Sequence, residues 1–214
     1  MEILKTYNEL YESRYDDRFA KITIEQVWFY AIHHNDLKLA KEVIKKGIDI
    51  NIIATIDIDI PYMNTYDNSA LYITPYLGMT KLLIKNGADL DIRNTNHETA
   101  LFGAIRSKIH KHIQLSDYIK KMKLLLDAGA DPNIRDYLQR TPLLYIAEVC
   151  GQNYSDFCIE MMGLLINAGA DWELKNRNGE IFFDILSEYN QKLIEQNHSD
   201  NMFIRHRRAK KFKL

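Results

Sequence analysis

Apolar residues recur along this chain mostly at intervals of three and four, the spacing that places them on one face of a helix. Ile3, Leu4, Tyr7, Leu10, Tyr11 and Tyr15 follow it, with Glu, Lys, Asn and Arg between them, and predict an amphipathic N-terminal helix. QVWFYAIHH and DLKLAKEVIKK predict a helix pair beginning at Gln26. Leucines at 82–83, 124–126 and 164–165 mark later helices, and Phe182, Ile185, Leu186, Tyr189 and Leu193 predict a long closing one. One stretch departs from this period. Ile56, Ile58 and Ile60 alternate with Asp57 and Asp59 up to Pro61, the period-two pattern of a half-buried strand. It reads as an extended finger pairing with a partner edge, or as a long connector folding its Ile side back. The pattern as a whole predicts an all-α fold.

The helices end in a recurring way. EVIKKGIDIN, KLLIKNGADLD, KLLLDAGADPN and GLLINAGADWE align on Gly47, Gly87, Gly129 and Gly169, spaced 40, 42 and 40 residues. Glycine at these positions suits the left-handed backbone of a helix C-terminus. After the last three, Thr99, Thr141 and Ile181 each follow at 12 residues. Thr99 and Thr141 are N-cap residues for the next helix, and Pro142 occupies its first position, where a missing N–H costs nothing. A constant short spacing beside a variable long one describes a rigid connector between helices that tolerate insertion.

TPLLYIA (141–147), TALFGAI (99–105) and SALYIT (69–74), together with the GAD tripeptides, resemble the ankyrin repeat and its T-P-L-H-x-A signature. The resemblance covers roughly residues 25–195. It implies a solenoid of stacked helix-turn-helix units over 25–52, 64–93, 94–135, 136–175 and 176–195. Residues 1–24 would form an N-terminal cap and 196–214 a basic tail, because terminal repeats need polar-backed covers.

The departures from that pattern are specific. Gln26 to Gly47 is 21 residues, whereas Thr99 to Gly129 is 30 and Thr141 to Gly169 is 28. The excess falls in SKIHKHIQLSDYI and EVCGQNYSDFCIE, between the paired helices or lengthening them. Ten extra residues enter the connector between Gly47 and Ser69, and the following interval, Ser69 to Gly87, is three short. The turn glycine that family members carry two residues before the Thr appears only at Gly179. Asp67, His97 and Gln139 replace it elsewhere. Asp and His tolerate positive φ, so the turn at Gln139 is the one expected to differ.

Composition narrows the function. Hydrophobic residues make up 46 % of the 214, and only 13 are Gly or Pro, which excludes a disordered chain. No apolar run approaches a membrane span, and the polar, acidic start is unlike a signal peptide. Two cysteines, Cys150 and Cys158, are expected to be packed thiols in a reducing compartment, so a cytoplasmic protein is expected; a monomer is expected as well. Net charge is −1, but RHRRAKKFKL holds six basic residues and no acid, leaving 22 basic against 29 acidic in residues 1–204. Such a tail suits nucleic acid, anionic lipid or the acidic body itself. The acidic body makes nucleic acid the weaker reading.

No phosphate loop, HExxH, GxSxG or EF-hand is present. His33 and His34 point apart on a helix, and His110 with His112 is too small a ligand set. The expectation is a non-enzyme with no metal and no cofactor. Connector tips and inner helix faces carry partners in ankyrin-like arrays, so the resemblance implies partner contacts at Tyr66, Asn68, Asn96, Glu98, Arg106, Tyr137, Leu138, Arg140, Glu148 and Arg177. A protein-binding module is expected, either a general adaptor or a dedicated inhibitor or antidote of one enzyme or toxin. Nucleic-acid binding by the tail is the third reading.

Overall fold

A computed structural model describes residues 23–54, 67–106, 114–150 and 156–186, with nine α-helices and no strand among them. The N-terminal cap, Tyr66, the Ile56–Ile60 pattern, His110, His112 and the basic tail lie outside the described residues. The chain divides into two compact units, Met1–Ile113 and Gln114–Leu214.

Among the described residues of the first unit, α1 (Ile24–His33) and α2 (Leu37–Lys45) come first. Thr23 starts α1 through a capping box: its hydroxyl accepts from Gln26 N, and the Gln26 side chain accepts from Thr23 N. Val27, Trp28, Phe29, Ala31 and Ile32 are buried from α1, while α2 contributes Ala40 and Val43 and is capped by Asp36. Beyond Gly47 an antiparallel bridge joins Ile53 to Ser69, and Ala54 N donates to Asn68 O. Residues 54 and 67 thus meet, and the long insertion begins and ends at one place.

Ser69 caps α3 (Ala70–Ile73) by accepting from Tyr72 N. The helix stops after four residues because Thr74 precedes Pro75 and takes the extended backbone that a following proline imposes. That accounts for the missing three residues. α4 (Leu77–Lys85) and α5 (Ala100–Arg106) complete the unit. α5 approaches α3 so closely that a Cβ on Gly103 would stand 2.6 Å from Tyr72 O. Thr99, expected as a cap, instead buries its hydroxyl without a hydrogen-bond partner among the described residues.

The second unit holds α6 (Leu115–Asp127), α7 (Pro142–Cys150), α8 (Asp156–Asn167) and α9 (Phe182–Ile185). α6 and α8 run 13 and 12 residues against nine for α2 and α4, so part of the excess length is extra helix. Thr141 accepts from Leu144 N ahead of Pro142, as expected. α8 packs on both α6 and α7. Lys121 lies in that interior at 1 % exposure, and burial pushes its pKa from 10.5 to about 7. The expected closing helix is interrupted early: α9 ends at Ile185 and Leu186 is extended, while Tyr189 and Leu193 lie outside the described residues. Cys158 stands in a disulfide, not as the packed thiol expected, and Cys150 is the only other cysteine in the sequence.

Helix ends repeat one device in both units. Gly87 and Gly129 take φ of 82° and 100°, letting Ala88 N and Ala130 N reach back to Leu83 O and Leu125 O. Side chains then tie one connector to the next. Asn51 Oδ1 accepts from Asp89 N at 2.8 Å in the first unit, and Asn133 Oδ1 from Asp171 N at 2.7 Å in the second.

Candidate interaction surface

Three connectors, those after Gly87, Gly129 and Gly169, end in a small closed turn built on an Asx side chain. Asn94 Oδ1 accepts from the backbone N–H of Asn96 and Glu98, Asp136 Oδ1 from Leu138 and Arg140, and Asn176 Oδ1 from Asn178 and Glu180. The backbone N–H of the same residues donates to the carbonyls of Glu98, Arg140 and Glu180. His97, Gln139 and Gly179 occupy the left-handed position, with φ of 60°, 62° and 82°. The expectation that the Gln139 turn differs is therefore corrected. Its turn has the same hydrogen bonds as its neighbours, and these hold Gln139 in a backbone region that costs a side-chain-bearing residue ~1–2 kcal/mol.

The residue closing each turn engages a network beneath it. In the first unit the Glu98 side chain is 0 % exposed. Its Oε2 accepts from Tyr72 Oη at 2.8 Å and Asn94 Nδ2 at 3.4 Å. Its Oε1 lies 2.9 Å from Arg106 Nη2, a contact of charge rather than an aligned hydrogen bond. Asn94 Nδ2 also donates to Asn68 Oδ1.

The second unit carries the same pair with its signs exchanged. Arg140 stands where Glu98 does, and Glu148 eight residues on stands where Arg106 does. Arg140 Nε and Nη2 meet Asp136 Oδ2 at 2.8 and 2.6 Å, and Nη1 meets Glu148 Oε2 at 2.9 Å. Its guanidinium lies 4.7 Å over the Tyr145 ring. Burial works against the Arg140 charge, but hydrogen bonds and attraction from Asp136 and Glu148 outweigh it and hold the pKa above its usual value. Asn176 Nδ2 continues the network to Glu148 Oε1 and Glu180 Oε2.

These contacts sort the residues singled out from the sequence. Asn68, Glu98, Arg106, Arg140 and Glu148 are joined internally, and Glu98 presents nothing outward. Asn96, Tyr137 and Arg177 are exposed at connector tips, with Tyr137 at 49 %. Leu138, Arg140, Glu148 and Arg177 come together around a groove of about 550 Å³ that Asn176, Glu180, Asp184 and Ile185 also line. Asn94, Asp136 and Asn176 were missed. Their signal was present, since each stands four residues before the closing residue.

No protein-family model matches the sequence, and no curated protein does. His33 and His34 are exposed with ring planes 70° apart, and His34 stacks on Tyr30. Among the described residues no three His, Cys, Asp or Glu side chains converge as metal ligands. No described helix is long and apolar enough to cross a membrane.

Proposed function

We propose that the chain is a non-catalytic protein-binding module, an ankyrin-like array whose connector tips hold a partner protein. The observation that carries this is Tyr137. A half-exposed aromatic stands at the apex of a turn locked below by Asp136 and Arg140, so the ring is presented with little backbone freedom left to lose. Tyr and Arg are the side chains that most often anchor interfaces, and Arg177 projects from the next connector. Arg177 N donates to Leu138 O, which couples the two tips directly. Asn96 offers an adaptable polar contact in the first unit. Disulfides belong mainly to oxidising compartments, so with Cys158 in one the proposal makes no use of a cytoplasmic location.

The test places a photo-crosslinking amino acid at 137 or 177 of the full chain in its source cell, with exposed Lys38 as the control position. One partner protein captured from both tips and not from position 38 is the expected result. Purified with that partner, Tyr137→Ala should weaken binding by about 30-fold, the effect of a 2 kcal/mol hot spot, with the melting temperature unchanged. Equal, indiscriminate labelling from all three positions would end the proposal.

A further inference from the structure

We infer that the groove of the second unit receives a cationic side chain, Arg or Lys, from the partner protein. The inference rests on the protein-binding reading and assigns chemistry to one part of that surface. Two guanidiniums and three carboxylates line the groove, but they are not equally available. Arg140 is engaged below with Asp136, whose side chain is 0 % exposed, and with Glu148. Its charge is therefore already matched. Glu180 and Asp184, neither joined to a cation among the described residues, then face a single remaining cation, Arg177, whose guanidinium has no side-chain partner among those residues.

Hydrogen-bond capacity points the same way. The amide donors of Asn176 and Asn178 are directed to carboxylates, so Arg177 is left as the groove's one side chain with donors to offer an anion. Acceptors remain. Glu180 receives both amides on Oε2, and Asp184 receives Ile181 N on Oδ2; the second oxygen of each has no donor among the described residues. A guanidinium or ammonium brings donors and no acceptor of its own, which complements this lining. Leu138 and Ile185 supply apolar wall for the methylene stem of such a side chain.

The experiment is an amide-resolved NMR titration of the full chain at physiological salt with two blocked dipeptides, acetyl-Leu-Arg-amide and acetyl-Leu-Glu-amide. The Arg probe should give saturable shifts at Asn176, Asn178 and Ile185, and bind about tenfold more tightly than the Glu probe, a difference within the reach of local charge complementarity. Glu180→Gln should weaken the Arg probe about fivefold by removing one partly exposed charge, while the control Lys38→Ala should not weaken it. Preference for the Glu probe, an unchanged affinity in Glu180→Gln, or absence of saturable shifts at these residues would each overturn the assignment. If crosslinking at Tyr137 succeeds while this titration fails, the protein-binding reading stands and the cationic assignment alone is lost.

Discussion

Arg140→Ala should cost this protein about 3 kcal/mol of stability, at the low end of what breaking a buried ion pair removes. Asp136 is fully buried and loses both charged donors on Oδ2, at 2.8 and 2.6 Å. Each such charge-assisted bond contributes ~1.5–3 kcal/mol. Asp136 keeps the Leu138 and Arg140 backbone donors on Oδ1, which limits the loss. Glu148, with its side chain 30 % exposed, retains Asn176 and water and adds little. Loss of the contact with Tyr145 adds ~0.5–1 kcal/mol. Urea unfolding followed by circular dichroism measures the change, with an unaltered dependence on denaturant expected if the unfolded state is unaffected. A sharper form uses the sign exchange between units. Arg140→Glu alone should be worse than Ala, because it sets three carboxylates together. Adding Asp136→Asn and Glu148→Arg rebuilds the Asn94, Glu98 and Arg106 arrangement and should recover more than half of the loss, short of all because the Asn176–Glu148 bond is gone. A triple variant no more stable than Arg140→Glu would refute the account, as would an Arg140→Ala cost below ~1 kcal/mol.

Lys121 has its pKa lowered on folding, from 10.5 to about 7. Between those values the unfolded chain binds a proton that the folded chain does not, so stability should rise with pH across this window, by at most ~1.4 kcal/mol per pH unit. Below the window its contribution is flat and least favourable. Melting curves at pH 6 to 9.5 should show the rise in the native chain and its loss in Lys121→Met. Gly103→Ala forces a Cβ to 2.6 Å from Tyr72 O and should destabilise by about 2 kcal/mol, read by urea unfolding. Gln139→Gly should instead raise stability by up to ~1 kcal/mol, since glycine removes the strain at φ 62° and the Arg135–Gln139 contact it gives up is long and exposed. A lower melting temperature in Gln139→Gly would show that the side chain matters more than the strain.

The helices and their ends were legible because they are local properties. Glycine at 47, 87, 129 and 169, Pro142 and the Thr141 cap each act within a few residues. Helix length at Thr74 was also within reach, since Pro75 dictates it. What stayed hidden depends on which side chains meet across the fold. Glu98 and Arg140 occupy tip positions in the sequence, yet both turn inward. The exchange of sign between Glu98–Arg106 and Arg140–Glu148 could have disclosed this, because matched charges eight residues apart have no reason to invert together on a free surface. Lys121 lies within LSDYIKKMKLLLD three residues after Tyr118 and four before Leu125, so the helical period puts it on the buried face, but its charge argues against burial and hides it among Lys120 and Lys123.

The ties between helix pairs have a consequence for how the chain acquires its structure. The side-chain bonds joining neighbouring pairs link residues 26, 28, 36 or 38 positions apart. Closing a 38-residue loop rather than a 26-residue one costs only ~0.3 kcal/mol more in chain entropy. No tie is therefore privileged, and none must wait for a distant part of the sequence. On the ribosome, Asn51 finds its donor once Asp89 has emerged, and Asn133 once Asp171 has, whatever remains to be translated. Within each unit these ties can then form at the pace of synthesis, as soon as the later partner of each has emerged.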